Sequence, residues 1–146
     1  MTAEEMWAAF VQENGIRDNK YEAWAYGDDP DKLAELTING TKTATSSAYY
    51  WYETEGEELP KEEEYSVILN SKNDAVCVVK TSKVYVERFN KVSEEHAYKE
   101  GEGDRSLEYW RKIHKAFFTE ELAEAGEAFD ENMKVVCEEF EVVYKP

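Results

Sequence analysis

Two short stretches of this 146-residue chain hold the residue types that chemistry needs. In Gly40-Thr41-Lys42-Thr43-Ala44-Thr45 an ammonium and a hydroxyl stand three residues apart, where a helix is expected to end and a strand to begin. In Glu100-Gly101-Glu102-Gly103-Asp104 several carboxylates crowd a glycine-rich turn ahead of another helix. A lysine, a threonine and a glutamate converging on one pocket could bind a polar planar ligand or hydrolyse an amide. Threonine is a weak nucleophile until a neighbour takes its proton. A desolvated lysine can be that base, because burial disfavours its charged form, and a glutamate can hold or protonate the leaving amine. Each residue also has a plainer role. Lys42 suits the negative end of a helix, Thr43 and Thr45 are ordinary strand residues, and Asp104 and Ser106 are placed to cap the helix that follows.

The elements that must position these groups are read from spacing. Thr2 and Glu5 have the separation of a capping box, and Ala3, Met6, Trp7, Phe10 and Val11 predict a helix over about 2–14, stopped by Gly15. Residues 16–29, with Trp24-Ala25-Tyr26-Gly27, read as an aromatic loop or short extended piece. Asp29 is expected to cap a helix that begins at Pro30, buries Leu33 and Leu36, and ends at Asn39-Gly40. Strands are expected at 43–48, 65–69, 75–80 continuing through Val84-Tyr85-Val86, and 134–144. Ser93 starts a short helix ending near Lys99, and Leu107, Trp110, Ile113, His114, Phe117 and Phe118 trace a helical face from about 105 to 125. The fold class that follows is α+β: a single domain over residues 1–146, with five to six mostly antiparallel strands in a small curled β-barrel flanked by helices.

Composition narrows the partners. A net charge of −16 repels a phosphate backbone, so duplex DNA and long RNA are not expected partners. Arg105, Arg111, Lys112, His114 and Lys115 crowd one segment, which leaves room for a small anion or a few nucleotides. No run of 18 apolar residues predicts a membrane span. The start, Met1-Thr2-Ala3-Glu4-Glu5, is unlike a secretory signal, so a cytoplasmic protein is expected. Cys77 and Cys137 lie in apolar, β-branched runs and read as buried thiols; no Cys-x-x-Cys spacing points to a metal, and no cofactor is expected.

The pattern Gly40-x-Lys42-x-x-Thr45 resembles the signature of the ASCH domain family, relatives of the PUA RNA-binding domains. Trp24-Ala25-Tyr26-Gly27-Asp28, Leu59-Pro60, Val76-Cys77-Val78-Val79 and Phe89-Asn90-Lys91-Val92 are similar to the same family in order, as are the 100–107 turn, Trp110-Arg111, His114 and the segment Val135–Phe140. The likeness covers roughly residues 20–144. It implies a PUA-like barrel whose cleft holds the lysine and threonine and takes an RNA fragment or a nucleoside-like ligand. Some small members hydrolyse the exocyclic amide of N4-acetylcytidine with a lysine, a threonine and a glutamate, which would fall here on Lys42, Thr45 and Glu100. Glu102 competes with Glu100 for the last role. Around that trio, Trp24, Gly40, Ser46, Tyr49, Glu102, Asp104, Arg105, Arg111 and His114 are the candidate ligand-binding residues. Arg111 and His114 could enter the cleft or lie on the surface. Within Tyr49-Tyr50-Trp51-Tyr52, one or two rings could stack on a base, or the group could close an end of the barrel. Other members are ribonucleases, so a non-catalytic RNA-binding module, a ribonuclease and a protein-binding adaptor using the 49–52 face all stay open.

Overall fold

The structure is a computed structural model that describes residues 1–17 and 20–146; the part of the expected loop at 18–19 lies outside the described residues. Five strands, β1 (Glu22–Ala25), β2 (Ala44–Ala48), β3 (Tyr65–Leu69), β4 (Ala75–Arg88) and β5 (Lys134–Tyr144), form one sheet in the order β1-β3-β4-β5-β2. Among the described residues only β1 and β3 run parallel, and the other three pairings are antiparallel. The 14-residue β4 is the spine, pairing with β3 along its first half and with β5 along most of its length. Its register slips between Val78 and Val79 and between Thr81 and Lys83. Such bulges raise local twist, and the sheet curls into a half-barrel of PUA-like form, with β1 and β2 as its two edges.

Helices α1 (Ala3–Asn14), α2 (Pro30–Ile38), α3 (Tyr49–Glu55), α4 (Glu94–Glu100) and α5 (Leu107–Glu124) pack on this sheet. The capping box of α1 forms as its sequence predicts, and Met6, Trp7 and Phe10 close over Val67 and Val78. The α5 face buries Trp110 and Phe118 against Phe89, Val135 and Cys137.

Two local expectations change. The Asp29 side chain makes no capping hydrogen bond among the described residues, its backbone being left-handed at φ 42°, and Pro30 at the first helical position helps set the start. Ala34 and Thr37, rather than Leu33 and Leu36, are the fully buried residues of α2. Thr37 is tolerated there because its hydroxyl donates to the Leu33 carbonyl at 2.8 Å and meets the Tyr26 hydroxyl at 2.8 Å. The aromatic run at 49–52 is helical, opening α3. Both cysteines are buried free thiols, pushed by burial to about 12. Among the described residues, no helix is long and apolar enough to cross a membrane.

Candidate functional site

A half-barrel leaves its two edge strands unpaired, and here a cavity of about 730 Å³ is lined from both of them, by Trp24 and Tyr26 at β1 and by Thr45 and Ser46 on β2. Trp51 and Tyr52 of α3 and Phe117 of α5 complete its aromatic wall. Behind this wall lies a buried charge cluster. After α2 the chain reverses at Gly40, with φ 85°, and the amides of Thr41 and Lys42 both return to the Leu36 carbonyl at 3.0 and 2.9 Å. That turn sends the Lys42 side chain inward, where it is 1% exposed.

Glu100 arrives from the other side as the last residue of α4, a helix capped by the Ser93 hydroxyl. The following Gly101 has φ 72°, and a Cβ there would lie 2.5 Å from the Thr41 carbonyl oxygen, so only glycine lets the two segments approach. The Thr43 amide fastens them by donating to the Lys99 carbonyl at 2.7 Å.

The result is a carboxylate satisfied on all sides. Glu100 Oε1 faces Lys42 Nζ at 3.3 Å and His114 Nε2 at 3.3 Å. Glu100 Oε2 accepts from His96 Nε2 at 2.8 Å, from Trp110 Nε1 at 2.5 Å and from the Ser46 hydroxyl. Burial alone would raise its pKa, but the charges of His114 and Lys42 and the bonds from both histidines hold it well below the usual carboxylate range. Burial likewise works to lower His114, yet the Glu100 carboxylate outweighs it and raises the imidazole. The ring agrees: His114 Nδ1 meets the Trp110 carbonyl at 2.9 Å while Nε2 faces Glu100, so both nitrogens point at acceptors. Lys42 Nζ is itself saturated, with Glu102 Oε2 at 3.0 Å and the Glu100 carbonyl at 3.4 Å. Glu100, Glu102 and His114 offer ligand atoms within 4.8 Å of one another and could hold a metal, but the Lys42 ammonium already stands at the two carboxylates.

Of the expected trio, Lys42 and Glu100 meet, and Glu102 shares the lysine with Glu100 instead of replacing it. Thr45 is not joined to either by a hydrogen bond among the described residues. Strand alternation is the cause. Thr45 pairs with Glu138 on one face of the sheet, while Ser46 pairs with Cys137 and faces α4, where its hydroxyl reaches Glu100 and, at 2.9 Å, His96 Nε2.

The remaining candidates divide. Trp24 and Ser46 line the cavity. His114 is buried in the cluster. Arg111 donates to the Asn90 carbonyl, Arg105 stacks 3.7 Å from the Tyr98 ring, and Asp104 caps the Ser106 amide. Tyr49 lies under Lys134, 5.3 Å from its ammonium, and Gly40 is an exposed turn. His96 carries a contact that sequence reasoning did not assign, although its place four residues before Glu100 puts both on one helix face. The cavity's charge was also missed. Glu22, Glu57, Glu58, Glu64, Glu121 and Glu138 line it, and among the described residues no lysine, arginine or histidine does. Glu138 is 9% exposed and accepts from Thr81 Oγ1 at 2.7 Å; burial first, then Glu64 and Glu22, raise its pKa against that bond.

The sequence pattern of the ASCH domain matches residues 22–144. An ASCH domain from Lactobacillus crispatus JV V101 is 33% identical over 97% of this chain and 91% of its own, with a TM-score of 0.86. A protein from Enterococcus faecalis V583 is 36% identical over 96% of this chain and 86% of its own, with a TM-score of 0.89. The ASCH protein of Zymomonas mobilis is 12% identical over 90% of this chain and 76% of its own, at a TM-score of 0.53, a likeness of fold alone. No curated protein matches the chain.

Proposed function

The chain belongs to the ASCH domain family, and on that footing we propose that its cavity binds a nucleobase or nucleoside free of phosphate. The observation that carries this reading is the lining itself: aromatic faces and hydroxyls at the two sheet edges, six carboxylates, and no cation among the described residues. Aromatic faces accept a base of any sequence by stacking, and carboxylates and hydroxyls can pair with the polar edge of a base. A phosphate entering the same space would meet repulsion from every side. The acids therefore disfavour a polynucleotide, and with it the ribonuclease reading, since RNA affinity rests on contacts to the backbone.

One contact favours a second reading, hydrolysis of an amide on a modified nucleoside. Ser46 lines the cavity, and its hydroxyl touches both Glu100 and His96. In this reaction the hydroxyl oxygen attacks the acyl carbon and its proton passes to Glu100. The carbon–nitrogen bond then breaks as the amine takes up that proton, and water hydrolyses the resulting ester. Lys42 and His114 would act by fixing the Glu100 carboxylate rather than by touching substrate. Their grip also makes Glu100 a weak base, which is why binding ranks ahead of catalysis.

Calorimetric titration with cytidine, N4-acetylcytidine and their 5′-monophosphates tests both readings, with deacetylation followed by absorbance. Nucleosides are expected to bind at least ten-fold more tightly than their phosphates. Monophosphates or short RNA binding more tightly than nucleosides would overturn the first reading; full turnover by Ser46→Ala would overturn the second.

A further inference from the structure

We infer that the ligand of this cavity carries a positive charge on its planar ring, with Glu138 as the residue that selects it. The inference rests on the cavity being a nucleoside site and adds the charge class.

Glu138 is buried beneath the cavity, and its one hydrogen bond among the described residues comes from a neutral hydroxyl, Thr81. A buried carboxylate without a cationic partner is costly to keep. Elsewhere the chain avoids that cost. Glu100 and Glu102 share Lys42, Glu139 pairs with Lys99 at 3.0 Å, and even the exposed Glu63 pairs with Lys80 at 2.8 Å. The sequence has 17 lysines and arginines, yet none lines the cavity among the described residues while six glutamates do. Glu64 and Glu22 lie close enough to disfavour the charged form of Glu138, so its neighbours add to the deficit of positive charge.

The aromatic wall is prepared for the same ligand class. Trp51 already donates its indole N–H to Glu121 at 2.5 Å, and the Tyr52 hydroxyl is engaged by Ser47 at 2.9 Å. Their polar edges are held by the protein, which leaves the rings to offer faces. An aromatic face attracts a cation through its quadrupole, most strongly where water is excluded. Stacking surface plus an unmatched buried carboxylate is complementary to a flat cation, such as a base methylated on a ring nitrogen, and gives a neutral analogue stacking alone. Discrimination then comes from the group left unpaired when the wrong ligand enters.

The test is calorimetric titration of the full chain with 1-methyladenosine, cationic at neutral pH, against neutral adenosine. 1-Methylquinolinium and quinoline form a second pair that lacks the sugar. The methylated nucleoside is expected to bind at least ten-fold more tightly than adenosine. Glu138→Gln should abolish most of that preference by weakening 1-methyladenosine binding. Glu64→Gln, at an exposed position, should reduce the preference in the same direction and serves if the Glu138 variant fails to fold. Equal affinity for 1-methyladenosine and adenosine overturns the charge inference and leaves the nucleoside reading intact. Binding of 1-methylquinolinium in preference to quinoline, with no nucleoside bound, upholds the charge inference and removes the nucleoside reading. Binding of none of the four compounds overturns both.

Discussion

Glu100 and Glu138 are both glutamates with less than a tenth of their surface exposed, and the molecule treats them in opposite ways. Glu100 receives five donors from β2, α4, α5 and the turn before β2, and its pKa falls. Among the described residues Glu138 receives one donor and lies near two other acids, and its pKa rises. A matched buried charge fixes the geometry of the chain around it. An unmatched one stores a deficit that only something from outside can fill. The first group therefore reads as the framework of the site and the second as its means of selection.

Breaking the framework should have the largest effect. Lys42→Ala leaves Glu100 and Glu102 without their shared counter-charge, and loss of one partner of a buried pair costs about 3–5 kcal/mol. Urea unfolding should show that loss; a change below about 1 kcal/mol would mean the cluster holds nothing together. Next in size is Ser46→Ala, which removes a hydrogen bond to a charged acceptor at a cost of about 1.5–3 kcal/mol. Thr45→Ala, one residue away on the opposite face, should cost less than about 0.5 kcal/mol. The contrast between neighbours is the sharper measurement, because equal costs would mean that strand alternation does not separate the two hydroxyls.

Much of this frame was legible in the sequence. Apolar spacing placed α5, β-branched runs placed β3, β4 and β5, and the Lys42–Glu100 meeting followed from the family resemblance of two motifs nearly sixty residues apart. That Ser46, and not Thr45, is bonded to Glu100 was not legible in the motif. Which face of β2 looks at α4 depends on its register with β5, and a period of two cannot reveal that register. The cavity's acids were illegible for a different reason. Of the 33 acidic residues in the sequence, six among the described residues line it, and they are scattered from Glu22 to Glu138, so only the curl of the sheet gathers them. Local patterns report elements; the charge of a cavity is a property of closure.

The two titrating groups of the framework set a pH window. Glu100 is lowered from an ordinary value of 4.5, so its contribution to stability is present above about that pH and is lost as pH falls through the folded value. His114 is raised from 6.5, so its contribution is complete below that pH and is lost as pH rises through the folded value. Both act together between about 4.5 and 6.5, where the melting temperature should be highest. His114→Gln should flatten the alkaline limb and, because His114 helps hold Glu100 low, also make the acid limb shallower. An unchanged alkaline limb in that variant would remove His114 from the cluster's energetics.

The effect at Glu138 is the most telling, because its sign is opposite. Glu138 is raised from its ordinary value, so folding favours its protonated form, and the carboxylate opposes the folded state as pH rises. Glu138→Gln keeps the shape and the Thr81 contact while removing that charge, and at neutral pH it should raise the melting temperature by about 2–4 °C, the shift expected for about 1 kcal/mol in a chain of this size. The same substitution is expected to erase the preference for a cationic ligand. Gain of stability together with loss of selectivity from one atom pair is what a residue kept for binding produces. A solvated surface acid would change neither, and a framework acid such as Glu100 would lose stability when neutralised. A Glu138→Gln protein that melts lower than the parent would place Glu138 with the framework and dissolve the contrast between the two glutamates.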